Sequence, residues 1–190
     1  MISSILKQNQ ILSVSDEGRF TFREESVQGH FFPVEGIPNN SIVISLDMGG
    51  ENFKQRPFIV EKELACIHCT ADFILCQQVN DFTFKVFIFE LKSGDTSGYY
   101  DQILGSMILT ENLLQIARHF VYKRIDNFKP INVEFYPFLI CNKYQKGGIN
   151  NPIPRMKING LNIMRLPFAT SAIKFNTLIK YSLPFKKVIT

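Results

Sequence analysis

The chain has 190 residues, 45% of them hydrophobic, with eighteen Phe, no Trp, four Cys and a formal net charge of +4. That length and apolar content suit one globular domain with a substantial core, and the cysteine usage gives no sign of a secreted disulfide scaffold. No apolar run approaches the roughly eighteen residues of a membrane helix, and the first residues lack a basic region followed by an apolar stretch, so a soluble, cytoplasmic protein with no membrane partner is expected.

Residues 1–40 read as a β-rich lead-in, with Gly18, Gly29, Pro33, Gly36 and Pro38 marking turns around short pieces such as Arg19 to Phe22. Ser41 to Leu46 is a strand, and Asp47-Met48-Gly49-Gly50 after it is turn chemistry. Neither a Walker sequence nor a G-x-G-x-x-G follows, so the Gly pair is read as a turn rather than a phosphate loop. Phe58 to Ile67 is a β candidate with Glu61 and Glu63 on one face, expected to hairpin into Asp72 to Cys76; the polar stretch Gln77 to Asp81 then connects to the next strand. Phe84 to Phe89, interrupted only by Lys85, is rich in aromatic and β-branched residues and reads as a strand buried on both faces. It ends in Glu90-Leu91-Lys92, and because strand side chains alternate, Glu90 and Lys92 share one face while Leu91 packs on the other.

Beyond that strand, Asp95, Thr96 or Ser97 can cap a long helix whose apolar positions 103, 104, 107, 108, 114, 117 and 121 follow helical spacing. Gly105 and Ser106 would let that helix approach a sheet closely. Ile131 to Cys141 is the next strand, Lys143 to Pro154 a polar loop long enough to touch a substrate, and Arg155–Ile158 with Leu161–Leu166, joined by Asn159-Gly160, the strongest hairpin signal in the chain. Ser171 to Tyr181 suits a short helix.

If Asp72 begins the strand beside Glu90, two carboxylates and an ammonium converge. Two acids can hold a hard divalent cation through oxygen, and a lysine can orient or deprotonate an attacking water, which is the chemistry of phosphodiester hydrolysis. The blander reading makes Glu90 and Lys92 a solvated strand end. The set Asp72, seventeen intervening residues, then Glu90-Leu91-Lys92, resembles the motif of the PD-(D/E)xK nuclease superfamily. The resemblance continues through Ser93-Gly94-Asp95-Thr96-Ser97 into Tyr99-Tyr100-Asp101-Gln102, and spans Asp72 to roughly Phe120.

The resemblance implies an α/β fold with a restriction-endonuclease-like core, a mixed central sheet flanked by helices, here with a β-rich N-terminal lead-in and a C-terminal β-hairpin. It implies one nuclease-like domain over 1–190, with the core at 41–141 and a basic C-terminal extension at 142–190. It further implies magnesium (or manganese) held by Asp72, Glu90 and the Leu91 backbone carbonyl, with Lys92 supporting the nucleophilic water. Gln102 is a secondary candidate, as is an upstream glutamate, for which Glu51, Glu61 and Glu63 all lie in the right part of the chain. Ala71 stands where many members have proline, and Ser106 stands four residues after Gln102 where RecB-like members carry tyrosine, so that variant is not supported.

Charge is unevenly spread. From Arg118 to Thr190 there are thirteen Lys or Arg against only Asp126 and Glu134. Lys143, Lys146, Arg155, Lys157 and Arg165, interleaved with Tyr144 and asparagines, are candidate phosphate contacts, although such a face can equally be solvated or dock an acidic protein. Cys66-Ile67-His68-Cys69 has the spacing of half a zinc site, but Cys76 and Cys141 lie in apolar β runs and are better read as small hydrophobes. The expected function is therefore a metal-dependent nuclease acting on nucleic acid, DNA first, with a place in bacterial defence suggested by the resemblance alone. The alternatives are a catalytically inactive nuclease-like binding module, or a regulatory protein with a zinc or thiol site at Cys66 to Cys69. A chain this small leaves room for a homodimer or a partner protein to help choose and hold the substrate.

Overall fold

The computed structural model describes residues 6, 11–24, 29–46, 70–94, 97–121, 129–142, 155–158, 160–169 and 171–190. The chain is α/β. Its main sheet is mixed and contains β1 (Ile11–Leu12), β4 (Ser41–Ser45), β5 (Phe73–Asn80), β6 (Thr83–Lys92), β7 (Ile131–Cys141), β8 (Arg155–Ile158), β9 (Leu161–Leu166) and β11 (Phe185–Ile189). The strand order is β1-β4-β5-β6-β7-β9-β8, with β11 also pairing β7. A second sheet of three strands is formed by β2 (Phe20–Arg23), β3 (Phe31–Glu35) and β10 (Ile173–Lys174). The described helices are α1 (Tyr99–Val121) and α2 (Phe175–Tyr181), and no helix among the described residues is long and apolar enough to cross a membrane.

The main sheet is covered on both faces, which is why β6 and β7 are apolar almost without break. On one face Phe84, Val86 and Ile88 pack with Ile103, Met107 and Leu114 of α1. On the other face Phe87, Phe89 and Leu91 meet Phe22, Phe32 and Val34 of the small sheet and Phe175 and Leu178 of α2. The register between β6 and β7 sets Phe87 opposite Tyr136 and Phe89 opposite Phe138, and these pairs stack with centroids 4.7 Å and 5.0 Å apart. Phe22 stacks on Phe89 from the small sheet at 4.3 Å. Each fully buried Phe contributes about 1.5–3 kcal/mol of transfer free energy, so this aromatic layer fixes how the two sheets sit.

Antiparallel β4, β5 and β6 form a meander, and α1 then carries the chain across to β7, which runs parallel to β6 over ten registered pairs. The far edge of β7 is shared: β11 pairs with Ile131 to Phe135, and β9 with Phe138 to Ile140. Pro137, which has no N–H to donate, falls in the gap between these two partners.

Several expectations change. Gln77 to Asp81 is not a connection, because β5 runs on to Asn80 and only a tight turn precedes β6. The expected hairpin partner 58–67 lies outside the described residues, and β5 already has β4 on one edge and β6 on the other. The C-terminal residues are not an appendage, since β8, β9 and β11 join the motif-bearing sheet. The Asn159-Gly160 hairpin is as expected, with Gly160 at φ 86°, a left-handed conformation that favours glycine. Helices lie on both faces, but unequally: α1 covers one, while on the other α2 shares the cover with the small sheet, because the aromatic alternation of β2 and β3 supplies an apolar face. On α1, Ile108 is exposed and Leu109 and Leu113 are buried in its place.

Candidate active site

Asp72 immediately precedes β5 and is held at two points. Its backbone oxygen accepts the Leu46 N–H at 2.9 Å, and its side-chain Oδ2 accepts the Leu91 N–H at 2.6 Å. One residue earlier, the buried Ala71 N–H donates to Ser106 Oγ of α1 at 2.8 Å, and Thr110 Oγ1 donates to Ser106 O at 2.7 Å. The small pair Gly105 and Ser106 thus does more than permit close approach: Ser106 ties the entry of β5 to the helix. Phe73 pairs with Phe89, so Asp72 stands one step further along the same ladder, beside Glu90.

Glu90 is 0% exposed, among the four buried polar or charged residues in the described core. Lys92 Nζ lies 2.7 Å from its Oε1, with the lysine side chain 22% exposed. Oε2 is buried without a hydrogen-bond donor among the described residues. Burial pushes the Glu90 carboxyl up to about 8, the Asp72 charge pushes the same way, Lys92 opposes both, and Glu24 adds a further upward push. A carboxyl held protonated at neutral pH beside a second acid and an ammonium is a concentration of perturbed groups typical of functional sites. A divalent cation placed there would reverse the balance, since its charge favours the ionised carboxylate. Glu24, at the end of β2, was invisible to sequence reasoning, because only the packing of the small sheet brings it toward Glu90.

The same end of the sheet gathers more groups. Glu90 is registered with Leu139 and Leu139 with Arg165, which sets Arg165 in the same row two strands away. The Arg165 guanidinium sits 5.8 Å from the centre of the Tyr99 ring and donates to Tyr99 OH at 3.4 Å, at the start of α1. Gln102 is half-buried in the first turn of α1, where its backbone N–H donates to Gly98 O at 3.2 Å. Among the described residues, no hydrogen bond joins its side chain to Glu90 or Lys92.

Other candidates are not brought to this point. Lys157 is exposed on β8, and β7 and β9 intervene between that strand and β6, so it stands roughly 14 Å away by strand spacing. Arg155 lies on the same strand; Glu63, Lys143, Lys146, Cys66 and Cys69 lie outside the described residues. Cys76 and Cys141 are free and buried, and burial pushes the Cys76 thiol up to about 12, as expected of small core hydrophobes. Among the described residues no group of three or more His, Cys, Asp or Glu could hold a metal ion, so a cation here would rest on Asp72 and Glu90. Two carboxylates suit magnesium, which keeps several waters and takes its remaining ligands from phosphate.

Comparison with protein-family models, curated proteins and solved structures returns no match for this chain.

Proposed function

We propose that this chain is a magnesium- or manganese-dependent nuclease of the PD-(D/E)xK type, with a restriction-endonuclease-like core formed by β4, β5, β6, α1 and β7. The observation that carries the reading is the buried Glu90 carboxyl, next to Asp72 and in contact with Lys92, at the C-terminal end of a strand that is apolar from Val86 to Phe89. A solvated strand end would leave Glu90 exposed and at its ordinary pKa. The order meander, motif strand, helix, parallel strand also agrees with what the resemblance implies.

A bound divalent cation would polarise the scissile phosphoryl oxygen and lower the pKa of an attached water. The chain's own residues do the rest. Glu90 would release its proton to solvent on cation binding and would present Oε2, which has no donor among the described residues. Asp72, with Oδ2 anchored on the Leu91 N–H, would supply the second carboxylate. Lys92 Nζ, reachable from solvent, would orient the attacking water by donating to it. Arg165, in line with Glu90 and steadied by Tyr99, supplies positive charge for the phosphate. DNA is the first substrate to test; a defence role rests on the resemblance alone.

The binding-module alternative is favoured by one observation, the two-carboxylate count among the described residues. Incubating wild-type protein beside Lys92→Ala with plasmid, single-stranded DNA and RNA, in magnesium, manganese or EDTA, separates the two. Metal-dependent cleavage lost in the variant is expected. Cleavage by neither protein, under any of these conditions, would overturn the enzyme reading.

A further inference from the structure

A cavity of about 1150 Å³ lies over the outward face of β2 and β3 and does not include Asp72, Glu90 or Lys92 in its walls. It adjoins them. Phe73, which follows Asp72 directly, forms part of its lining, as does Glu24, one of the groups acting on Glu90. Its volume exceeds the roughly 300–1,000 Å³ of pockets that enclose a small molecule, which suits a stretch of polymer.

The walls combine the rings of Phe20, Phe31, Phe73 and His30 with two arginines and two glutamates, Arg19, Arg23, Glu24 and Glu35, so their charges balance. Phe31 points to the outer side of β3, away from the buried Phe32 and Val34. His30 is fixed twice: its Nε2 is 3.0 Å from Asn142 Nδ2, and its ring stacks on Phe168 at 4.6 Å and 14°. His30 Nδ1 is buried and has no hydrogen-bond partner among the described residues. Asn142 directly follows Cys141, the registered partner of Lys92, so this histidine stands at the same end of the sheet as the acids. Of the two arginines in the walls, Arg19 is engaged by Glu17 at 3.1 Å and Glu35 at 3.9 Å, while Arg23 is exposed with no ion pair among the described residues.

Duplex DNA hides its base faces and is gripped by many Lys and Arg on phosphates. A wall with one available arginine and several aromatic rings fits the opposite case, in which unpaired bases stack on side chains. We propose that the trough over β2 and β3 binds an unpaired nucleic-acid strand and delivers it to Asp72, Glu90 and Lys92, with Phe31 stacking a base, Arg23 on a phosphate and His30 Nδ1 bonding the strand. This rests on the nuclease reading and deepens it by naming the substrate as single-stranded.

The test reads binding in EDTA, where cleavage plays no part. Fluorescence anisotropy would compare wild type, Phe31→Ala, Arg23→Glu and, as a control away from the trough, Lys186→Ala on labelled single-stranded DNA, single-stranded RNA and duplex DNA of equal length. Circular dichroism would confirm that the two trough variants, both on the outer face of the small sheet, stay folded. The proposal expects single strands to bind at least 10-fold more tightly than duplex, with about a 10-fold loss in Phe31→Ala and in Arg23→Glu, little change in Lys186→Ala, and a shallow salt slope near −1. The DNA and RNA arms decide which strand is preferred. Equal or tighter duplex binding, no binding of either single strand, or wild-type affinity in both trough variants would overturn it. Retained plasmid cleavage with no trough effect would remove this inference and leave the nuclease reading standing.

Discussion

Glu90 on β6 and Glu134 on β7 lie on adjacent strands, each beside a lysine, and are driven in opposite directions. Burial acts to raise both. At Glu134 the Tyr136 hydroxyl donates at 2.8 Å and Lys186 lies 3.2 Å away, and together these donors outweigh burial and hold the carboxyl below its usual range. At Glu90 the only close cation among the described residues is Lys92, Asp72 adds like charge, and the carboxyl rises to about 8. Glu134 therefore belongs to the fold: a paired, partly exposed group whose lysine is its registered cross-strand neighbour. Glu90 is destabilised as an anion and lacks a second donor among the described residues, which is the condition of a group kept for a ligand.

The difference can be broken most directly at the two lysines. Lys92→Ala should lower metal-dependent cleavage by about 10²–10⁴-fold while retaining the fold, and Lys186→Ala should leave the rate unchanged. Parallel cleavage time courses check this, and equal losses would erase the distinction. The glutamates come next. Because the folded Glu90 pKa lies above its unfolded value, its contribution is fully present below about pH 4.5 and is lost as pH rises through about 8. Glu90→Gln should therefore stabilise the metal-free protein at pH 9, by on the order of 4 kcal/mol, and be nearly neutral at pH 4. Thermal melts in EDTA across this range would show it, and a Glu90→Gln protein less stable than wild type at pH 9 would contradict the assigned burial.

A smaller effect is expected at Ser106. Ser106→Ala leaves the buried Ala71 N–H without its acceptor, which costs about 1–3 kcal/mol and loosens Asp72; urea unfolding and the cleavage rate should fall together. Smallest is Glu134→Gln, about 1 kcal/mol destabilising at pH 7. Its pH dependence has the opposite sign, since a depressed carboxyl stabilises above its unfolded pKa and loses that contribution as pH falls below about 4.5. Urea unfolding at pH 7 and pH 3 measures both.

Much of this contrast was legible in the sequence where the pattern is local. The alternation that sets Glu90 and Lys92 on one face and Leu91 on the other is a property of any strand, and the unbroken apolar run Val86 to Phe89 required cover on both faces. Ile131 to Cys141 and the Asn159-Gly160 hairpin were readable for the same reason. What was hidden depends on distant pairing. Nothing near Arg165 says that β9 aligns it with Glu90, and nothing near Glu24, His30 or Asn142 says that a second sheet carries the first two to the motif. The strand Phe185–Ile189 escaped notice because two lysines and an edge position mask its alternation; only its pairing along β7 reveals it. Gln77 to Asn80 misled because polar residues at the half-exposed tip of a hairpin look like a loop.

The most direct measurement is calorimetric titration of the substrate-free protein with manganese at pH 7, in two buffers of different ionisation enthalpy, for wild type and Asp72→Asn. The account predicts binding by wild type with release of about one proton, from Glu90, and at least a 10-fold weaker affinity in Asp72→Asn. Manganese binding without proton release, or with the same affinity in both proteins, would contradict it.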